Sequence, residues 1–470
     1  MIFRQITHDD LGCASYLIGD EKARVAAVVD PRLAVDEYLQ LARYMDVRIE
    51  HIFETHNHAD HVSGHGRLAA ATGALIHIHA DAAATYEHEP LRDGDQVMLG
   101  ALKVRALHTP GHRPEHTAFM LIDTARGPEP WAVLTGDTLF VGDIARPDLA
   151  VEKSEGARGI FRSLGGLMRL PDEVEVWPGH LGGSMCGGPG MDMKISSTVG
   201  YERTHNALLA ITSEAEFVAE TLAKLGPQPP SFQAVVELNQ GPLLVGAVEL
   251  LPLSPRQVEH HRSEGALLVD LRADQQFDDA HIGGSVSIAI VRAGFGTKLA
   301  WLADRERPIV FIGRDDGDGR RAGQLAMAVG LRNFAGYLHG GMASWRQERR
   351  PADRIERLPL PDLQARLVAE PELQILDVRE RSEFAAGHIP GSQVAPWHDI
   401  RGVPDDLDGA EPIAVICASG QRAATAASLL RRYGAERVIH VVEGGVPAWG
   451  ALGNRLEPPV QRAVAASAYA

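Results

Sequence analysis

From the N-terminus to about residue 180, segments with the apolar spacing of a strand alternate with segments that have the apolar spacing of a helix. Residues 26–30 are a short apolar run that predicts a buried strand, and residues 34–45 carry apolar side chains at helical spacing. Residues 47–54 alternate between apolar and polar side chains on the way to Phe53, which predicts a second strand. Repeated strand–helix–strand patterns of this kind indicate an α/β fold for this part of the chain.

Proline and glycine mark two boundaries between domains. They accumulate at residues 226–230 and again at 241–255, and a second group follows residues 349–351 and continues through 358–361. A length of 470 residues is enough for two to four domains with cores of their own. We therefore predict three domains, at residues 1–248, 254–352 and 358–455.

The second and third predicted domains contain an internal repeat. Three residues recur at one offset of 107 positions: Asp270 as Asp377, Phe277 as Phe384, and His281 as His388. Trp345 recurs as Trp449 at an offset of 104. A shared offset across several residue types predicts two homologous α/β domains of about 100 residues each.

Composition narrows the range of partners. The 46 Lys and Arg residues are outnumbered by 62 Asp and Glu residues, which gives a formal net charge of −16. Such a surface repels nucleic acid and anionic lipid, and no apolar run approaches the roughly 20 residues of a membrane span. The acidic N-terminal segment does not predict a signal peptide. We expect a cytoplasmic protein with no nucleic-acid or membrane partner, and the sequence leaves a homo-oligomer open.

Histidines cluster in the first predicted domain, where they suggest a metal site. The strand at 47–54 is followed by a segment that contains His56, His58, Asp60 and His61, and alternation along an extended chain lets the first two converge. Four such residues in six positions argue against a run of surface histidines. Three later segments each follow a short apolar strand and offer one ligand from a loop: His112, Asp137 and His180. Imidazole and carboxylate together suit zinc or iron(II).

These motifs resemble the metallo-β-lactamase superfamily, which implies an αββα sandwich with metal between its loop ends. Carried over by position, a first metal site comprises His56, His58 and His112 with Asp137 bridging, and a second comprises Asp60, His61 and His180. The same ligands serve thioester hydrolysis, RNA cleavage and oxygen reduction in this superfamily. Membership alone therefore does not define the reaction.

Three further segments, at residues 12–18, 139–149 and 197–203, resemble the persulfide dioxygenase branch, although Ala145 replaces the usual glycine. This resemblance implies one mononuclear iron(II) with positions open for a persulfide and O₂. Its ligands would be His56, His112 and Asp137. The other four residues would orient these ligands through hydrogen bonds: His58, Asp60, His61 and His180.

The resemblance also implies an anionic thiol substrate, with glutathione persulfide as the expected one. Arg146 and Arg203 are candidate clamps for its carboxylates, and ordinary salt-bridged arginines are the alternative. Cys186 lies beyond His180 in a glycine-rich loop, where it either relays sulfur or is incidental. Cys13 lies in an alternating apolar segment and is expected to be a buried small hydrophobe.

Cys417 is the candidate for sulfur chemistry in the third predicted domain. It follows an apolar strand at 412–416 and precedes a helix at 423–433 that Gly434 is expected to end. Backbone N–H groups and the helix dipole favour a thiolate or persulfide anion there, and Arg422 adds positive charge. The segment is similar to the active loop of rhodaneses. Gly313 holds the equivalent position in the second domain, which contains no cysteine and is left with a structural or docking role.

The expected protein is thus a persulfide dioxygenase fused to two rhodanese-like domains, the second of them active. It would convert a persulfide and O₂ to thiol and sulfite, and pass sulfur between Cys417 and sulfite or thiosulfate. Fusion would raise the effective concentration of one site's product at the other. Two alternatives stay open: a glyoxalase-II-like dinuclear zinc thioester hydrolase with an appended sulfurtransferase, and a sulfur carrier or sensor without turnover.

Overall fold

The computed structural model describes residues 1–8, 10–182, 184–188, 190–246 and 248–457. The chain folds as two units. The first contains Met1–Val248 together with Gln324–Arg332, and the second contains Glu249–Gly323 together with the described residues from Asn333 onward.

Two mixed sheets form the centre of the first unit. The strands of the first sheet are Ile2–His8 (β1), Cys13–Asp20 (β2), Val25–Val29 (β3), Arg48–Phe53 (β4), Leu75–His79 (β5) and Glu89–Leu91 (β6). Those of the second are Gln96–Leu99 (β7), Leu102–His108 (β8), Thr117–Asp123 (β9), Ala132–Gly136 (β10), Glu175–Pro178 (β11) and Ser197–Thr198 (β12). Each sheet keeps its strands in chain order from edge to edge.

The helices of this unit are Asp36–Tyr44 (α1), His65–Thr72 (α2), Lys153–Leu167 (α3), Val199–His205 (α4), Glu214–Ala223 (α5) and Phe232–Gln240 (α6). The first two pack on the first sheet and the next three on the second, whereas α6 packs on Ala59 in the loop after β4. The inner faces share one core that includes Tyr16, Phe53 and Phe119. Tyr38 of α1 packs on the first sheet and Leu164 of α3 on the second, so the expected αββα sandwich is confirmed.

The second unit contains two five-stranded sheets. All strands within each sheet are parallel, and the two sheets have the same topology. The first repeat comprises Pro252–Leu253 (β13), Leu267–Asp270 (β14), Val286–Ser287 (β15), Ile309–Ile312 (β16) and Phe334–Leu338 (β17). The second repeat comprises Glu356–Pro359 (β18), Gln374–Asp377 (β19), Gln393–Val394 (β20), Ile413–Ile416 (β21) and Val438–Val442 (β22). The strand orders are β13-β17-β16-β14-β15 and β18-β22-β21-β19-β20, so each repeat places its five strands identically.

The helices of the second unit connect these strands. They are Pro255–Ser263 (α7), Asp274–Asp279 (α8), Phe295–Leu302 (α9), Asp316–Ala328 (α10), Gly341–Gln347 (α11), Leu360–Ala369 (α12), Arg381–Ala386 (α13), Gln421–Arg432 (α14) and Val446–Ala451 (α15). Among the helices described, none is long and apolar enough to cross a membrane.

The residues shared by the two repeats make the same structural contacts. Asp270 pairs with the guanidinium of Arg272 in the first repeat, and Asp377 pairs with Arg379 in the second. The repeated phenylalanine stacks on the repeated histidine four positions later, with ring centroids 3.9 Å and 3.8 Å apart. These residues therefore maintain the fold of each repeat and do not mark two reaction sites.

Candidate functional site

Three buried polar atoms converge where β4, β8 and β10 lead into loops. His56, His112 and Asp137 each offer one ligand atom within 4.8 Å of those of the other two. His56 Nε2, His112 Nε2 and Asp137 Oδ2 have no hydrogen-bond partner among the described residues. One such buried, unpaired atom costs about 1–3 kcal/mol, so three close together indicate a candidate ligand site. Two imidazoles and a carboxylate fit a divalent transition metal.

The hydrogen bonds behind the two histidines keep their inward nitrogens free for a metal. Thr55 Oγ1 donates to Asp30 Oδ2 at 2.9 Å, so it accepts from His56 Nδ1, also at 2.9 Å. His112 Nδ1 donates to the carbonyl oxygen of Arg146 at 2.9 Å. Burial lowers the pKa of His56 and of His112, so both rings are neutral and present an Nε2 lone pair.

Asp137 is held so that one carboxylate oxygen faces this centre. Its Oδ1 accepts a 2.8 Å hydrogen bond from His180 Nδ1, and its backbone N–H donates to His116 Nε2 at 2.9 Å. Burial raises the pKa of Asp137, but the charge and hydrogen bond of His180 outweigh it and lower the pKa to about 2. The preceding Gly136 has a φ of +48°, and a Cβ there would lie 2.7 Å from His116 Nε2. Glycine at this position therefore lets His116 approach the backbone of Asp137.

Thr55→Val is expected to weaken divalent metal binding by about 10–100-fold, because His56 loses the acceptor that keeps its proton on Nδ1. Valine has nearly the same shape as threonine, so the buried position stays filled. Chelator competition on anaerobically purified protein measures the affinity. Thr124→Val is the matched control, since its hydroxyl bonds the carbonyl of Ala101 outside the site. Equal affinities for the two variants would contradict the role given to Thr55.

A second group of predicted ligands lies beside the first. His180 Nε2 is 2.9 Å from Asp60 Oδ2, and His61 Nδ1 is 3.1 Å from Asp60 Oδ1. Burial lowers the pKa of His180, but the carboxylates at both ring nitrogens raise it well above the usual value. Cys13 also joins this group, with Sγ 3.7 Å from Asp60 Oδ2, so it is not only a buried hydrophobe.

His58 packs between these two groups, with its ring centroid 4.2 Å from that of His56 and 4.2 Å from that of His61. Its Nε2 lies 3.2 Å from Asp30 Oδ1 and 3.3 Å from Glu54 Oε2, and neither ring nitrogen has a hydrogen-bond partner among the described residues. Burial and the charge of His61 oppose protonation of this ring, but these carboxylates raise the pKa of His58 to about 9. The seven predicted ligands thus form a converging triad and a second cluster, with His58 packed between them.

The two candidate substrate arginines are already engaged by the protein. Arg146 contacts both carboxylate oxygens of Asp148, at 2.7 and 3.0 Å, and is buried. Arg203 pairs with Asp172 and donates to the carbonyl oxygen of Met168. The geometry supports the salt-bridged alternative for both side chains rather than a substrate clamp. Arg146 contributes to the candidate metal site only through its backbone, because its carbonyl oxygen accepts the hydrogen bond from His112 Nδ1.

Cys186 is buried against the metal site. Its Sγ lies within 4.8 Å of ligand atoms of both Asp137 and His180. Burial and the charge of Asp60 raise the pKa of its thiol. A protonated thiol is a weak nucleophile, so the relay role of Cys186 stays a prediction.

Cys417 lies in the loop between β21 and α14 and is buried. Its Sγ accepts from the backbone N–H of Ser419 at 3.4 Å and of Gly420 at 3.0 Å. Gly420 has a φ of +88°, a conformation that favours glycine and turns its N–H toward the sulfur. Two backbone donors directed at one sulfur favour its anionic form.

Arg422 is fixed by a partner that sequence reasoning missed. Its guanidinium forms two hydrogen bonds with the carboxylate of Glu383, at 2.5 and 2.9 Å. Its charge is therefore shared with Glu383 and not directed at Cys417 alone.

The equivalent loop of the first repeat has no space for a cysteine. A Cβ on Gly313 would lie 2.6 Å from the Cβ of Asp318 and 3.0 Å from the carbonyl oxygen of Asp315. Among the described residues of this repeat there is no cysteine. This repeat therefore cannot carry a persulfide of its own.

Family models agree with this architecture. The model for the metallo-beta-lactamase superfamily matches residues 8–180, and the model for the rhodanese-like domain matches residues 254–348 and 360–452. The chain is a metallo-β-lactamase–rhodanese fusion. The two repeats are its first and second rhodanese-like domains.

Relatives of the fusion include both enzyme classes that its motifs resemble. It is 34% identical over 169 residues to a hydroxyacylglutathione hydrolase of Gloeobacter violaceus, covering 35% of the fusion and 62% of that protein. It is 27% identical over 242 residues to the persulfide dioxygenase ETHE1 of Bos taurus, covering 51% of the fusion and 87% of that protein. The fusion thus spans about three fifths of the length of the hydrolases that it matches.

A solved structure covers more of the chain. The fusion matches a metallo-beta-lactamase from Staphylococcus aureus with 29% identity and a TM-score of 0.65, over 72% of the fusion and 98% of that chain. The family models and the ETHE1 relative confirm the resemblance to a persulfide dioxygenase–rhodanese fusion.

Proposed function

We propose that the fusion is an iron-dependent persulfide dioxygenase joined to a sulfurtransferase. The observation that carries this proposal is the triad of His56, His112 and Asp137, which presents two neutral imidazoles and one carboxylate oxygen at a single point. Such sets suit non-haem iron(II) with open positions. Iron(II) held there would supply the positions at which a persulfide sulfur meets O₂. Glutathione persulfide, O₂ and water would give glutathione and sulfite.

The residues around the triad favour one metal ion over two. His180 has both ring nitrogens at hydrogen-bond distance from carboxylates, on Asp137 and Asp60. His58 Nε2 faces Asp30 and Glu54. A second ion held by Asp60, His61 and His180 would need a nitrogen of His180 that is already engaged, whereas the triad keeps its own three atoms without partners among the described residues.

The second proposed activity belongs to Cys417. Its thiolate attacks the outer sulfur of thiosulfate, the S–S bond breaks, and sulfite leaves with the bonding electron pair. Transfer from the Cys417 persulfide to sulfite is the reverse step and yields thiosulfate. Ser419 and Gly420 would stabilise the sulfur anion through their N–H groups. The proposal assigns oxidation to residues 1–248 and sulfur transfer to residues 358–455, with residues 254–352 between them.

A dinuclear zinc thioester hydrolase is the second candidate for the first activity. It is favoured by the 34% identity to a hydroxyacylglutathione hydrolase and by the cluster of Asp60, His61 and His180. In such an enzyme two zinc ions activate a bridging hydroxide that attacks the thioester.

Metal analysis combined with turnover separates the two candidates. We expect anaerobically purified protein to contain about one iron per chain and to consume O₂ when given glutathione persulfide, because the triad presents three converging ligand atoms without hydrogen-bond partners among the described residues. Hydrolysis of a hydroxyacylglutathione thioester should be absent. Two tightly bound zinc ions, thioester hydrolysis and no oxygen uptake would establish the hydrolase instead.

A further inference from the structure

The cysteine-free rhodanese-like domain reaches the active loop of the second one through a buried pair. Asp278 lies in α8 of the first domain and His440 in β22 of the second, with side chains 1% and 0% exposed. Asp278 Oδ2 is 2.8 Å from His440 Nδ1, and His440 Nε2 is 2.9 Å from the carbonyl oxygen of Gly420. The N–H of Gly420 donates to Cys417 Sγ. A continuous chain of hydrogen bonds thus runs from Asp278 to the sulfur.

The groups on both sides of His440 define the direction of its hydrogen bonds. A carbonyl oxygen can only accept, so Nε2 donates to Gly420. Asp278 Oδ2 faces Nδ1 on the other side of the ring and also accepts from Arg357 Nη1 at 2.6 Å. Asp274, 3.6 Å from Arg357 Nη1, and His281, which interacts electrostatically with Asp278, are further ionisable neighbours of this group.

The fold of the repeat does not require this carboxylate. The position 107 residues after Asp278, at the offset of the repeat, is Ala385. A buried carboxylate is costly unless it is paired, and the partners of Asp278 are His440 and Arg357, which lie outside residues 254–348. The burial of Asp278 is thus explained by its contact with the second domain.

A second contact between these domains lies close to the same loop. Trp301 of α9 stacks on His398 with ring centroids 4.4 Å apart and an angle of 26°. His398 Nε2 is 3.1 Å from Glu380, the residue before α13, and α13 carries the Glu383 that fixes Arg422. The first domain therefore contacts the supports of both Cys417 and Arg422.

We propose that the cysteine-free domain positions the sulfur-transfer loop of its neighbour, with Asp278 holding His440 and His440 holding Gly420 so that its N–H faces Cys417. Neither residue touches substrate, so both are positioning residues. The inference rests on the proposed role of Cys417 and gives a function to the domain that has lost its own nucleophile.

Alkylation of Cys417 in the full-length protein tests this inference. Asp278→Ala is expected to slow the reaction with iodoacetamide, followed on the Cys417 peptide by mass spectrometry, by about tenfold. Asp278→Asn keeps an acceptor without the charge and should give an intermediate rate. Asp274→Asn is the matched control, on the same helix and beside the same arginine but without contact to His440.

A double variant tests whether Asp278 acts on the Cys417 loop through His440. His440→Gln should slow alkylation and thiosulfate–cyanide transfer to a similar degree, and the double variant with Asp278→Ala should be no slower than either single variant. Unchanged alkylation in folded Asp278→Asn, which preserves the shape of the side chain, would overturn the inference, and so would additive losses. If the wild-type protein transfers no sulfur from thiosulfate, the proposed sulfurtransferase function fails, while the alkylation rates still decide the positioning role.

Discussion

Asp137→Ala is expected to remove the bound iron and to lower oxygen uptake on glutathione persulfide by at least about a hundredfold. The variant loses Oδ2, one of the three free ligand atoms, and leaves His180 without the acceptor at Nδ1. His56→Ala and His112→Ala should have the same effect. Elemental analysis of anaerobically purified protein and an oxygen electrode measure both quantities.

Two controls make this result specific to the metal site. Asp172→Ala removes an exposed carboxylate that pairs with Arg203, and should retain iron and oxygen uptake. Sulfur transfer from thiosulfate should continue in Asp137→Ala, because the Cys417 loop belongs to the other folded unit. A full complement of iron in Asp137→Ala would show that the metal binds elsewhere.

Cys417→Ser is expected to lower thiosulfate–cyanide sulfur transfer by a thousandfold or more, on the order of the loss seen when a catalytic nucleophile is removed. The equivalent loop of the first rhodanese-like domain offers Gly313 and cannot substitute for it. Oxygen uptake should persist, with sulfite as the product in place of a mixture of sulfite and thiosulfate. Thiol-reactive labelling followed by chromatography quantifies both anions.

Cys186→Ser is the matched control, because it removes a buried thiol outside the Cys417 loop and should leave this transfer unchanged. Substantial residual transfer in Cys417→Ser would point to Cys186 as a second sulfur carrier. Loss of oxygen uptake in the same variant would mean that Cys417 delivers sulfur to the metal site.

Periodicity and glycine positions predict the elements around the site closely. The strand expected at 47–54 is Arg48–Phe53, and the helix expected at 34–45 is Asp36–Tyr44. Gly73 ends α2 with a φ of +75°, as a left-handed residue after a helix should. These features depend on local sequence, so they are readable without the fold.

The residues of the candidate metal triad are also identifiable in the sequence, whereas their hydrogen-bonded supports are only partly so. His56, His112 and Asp137 follow strands in motifs with characteristic residue types. Asp30 and Thr55 also stand at strand ends, and this is the signal that could have revealed them. The carbonyl oxygen on His112 belongs to the backbone of Arg146, and any residue type provides such a group.

Partners distant along the chain are the least predictable part of both sites. Arg422 is expected from its motif, but its bidentate partner Glu383 lies 39 positions earlier. Arg146 is a candidate substrate clamp in the sequence, and only the fold shows that its guanidinium also donates to the carbonyl oxygen of Gly226, 80 positions later. Side-chain pairing of this kind depends on tertiary packing, which residue type and spacing do not encode.

The crowding at Gly313 determines whether a single substitution could give the first rhodanese-like domain a nucleophile. A single change to cysteine would place its Cβ 2.6 Å from the Cβ of Asp318, too close for two carbon atoms. A nucleophile at this position would therefore require the loop to be rebuilt around Asp315 and Asp318. No single substitution at Gly313 would be enough to divide the proposed sulfur chemistry between the two rhodanese-like domains.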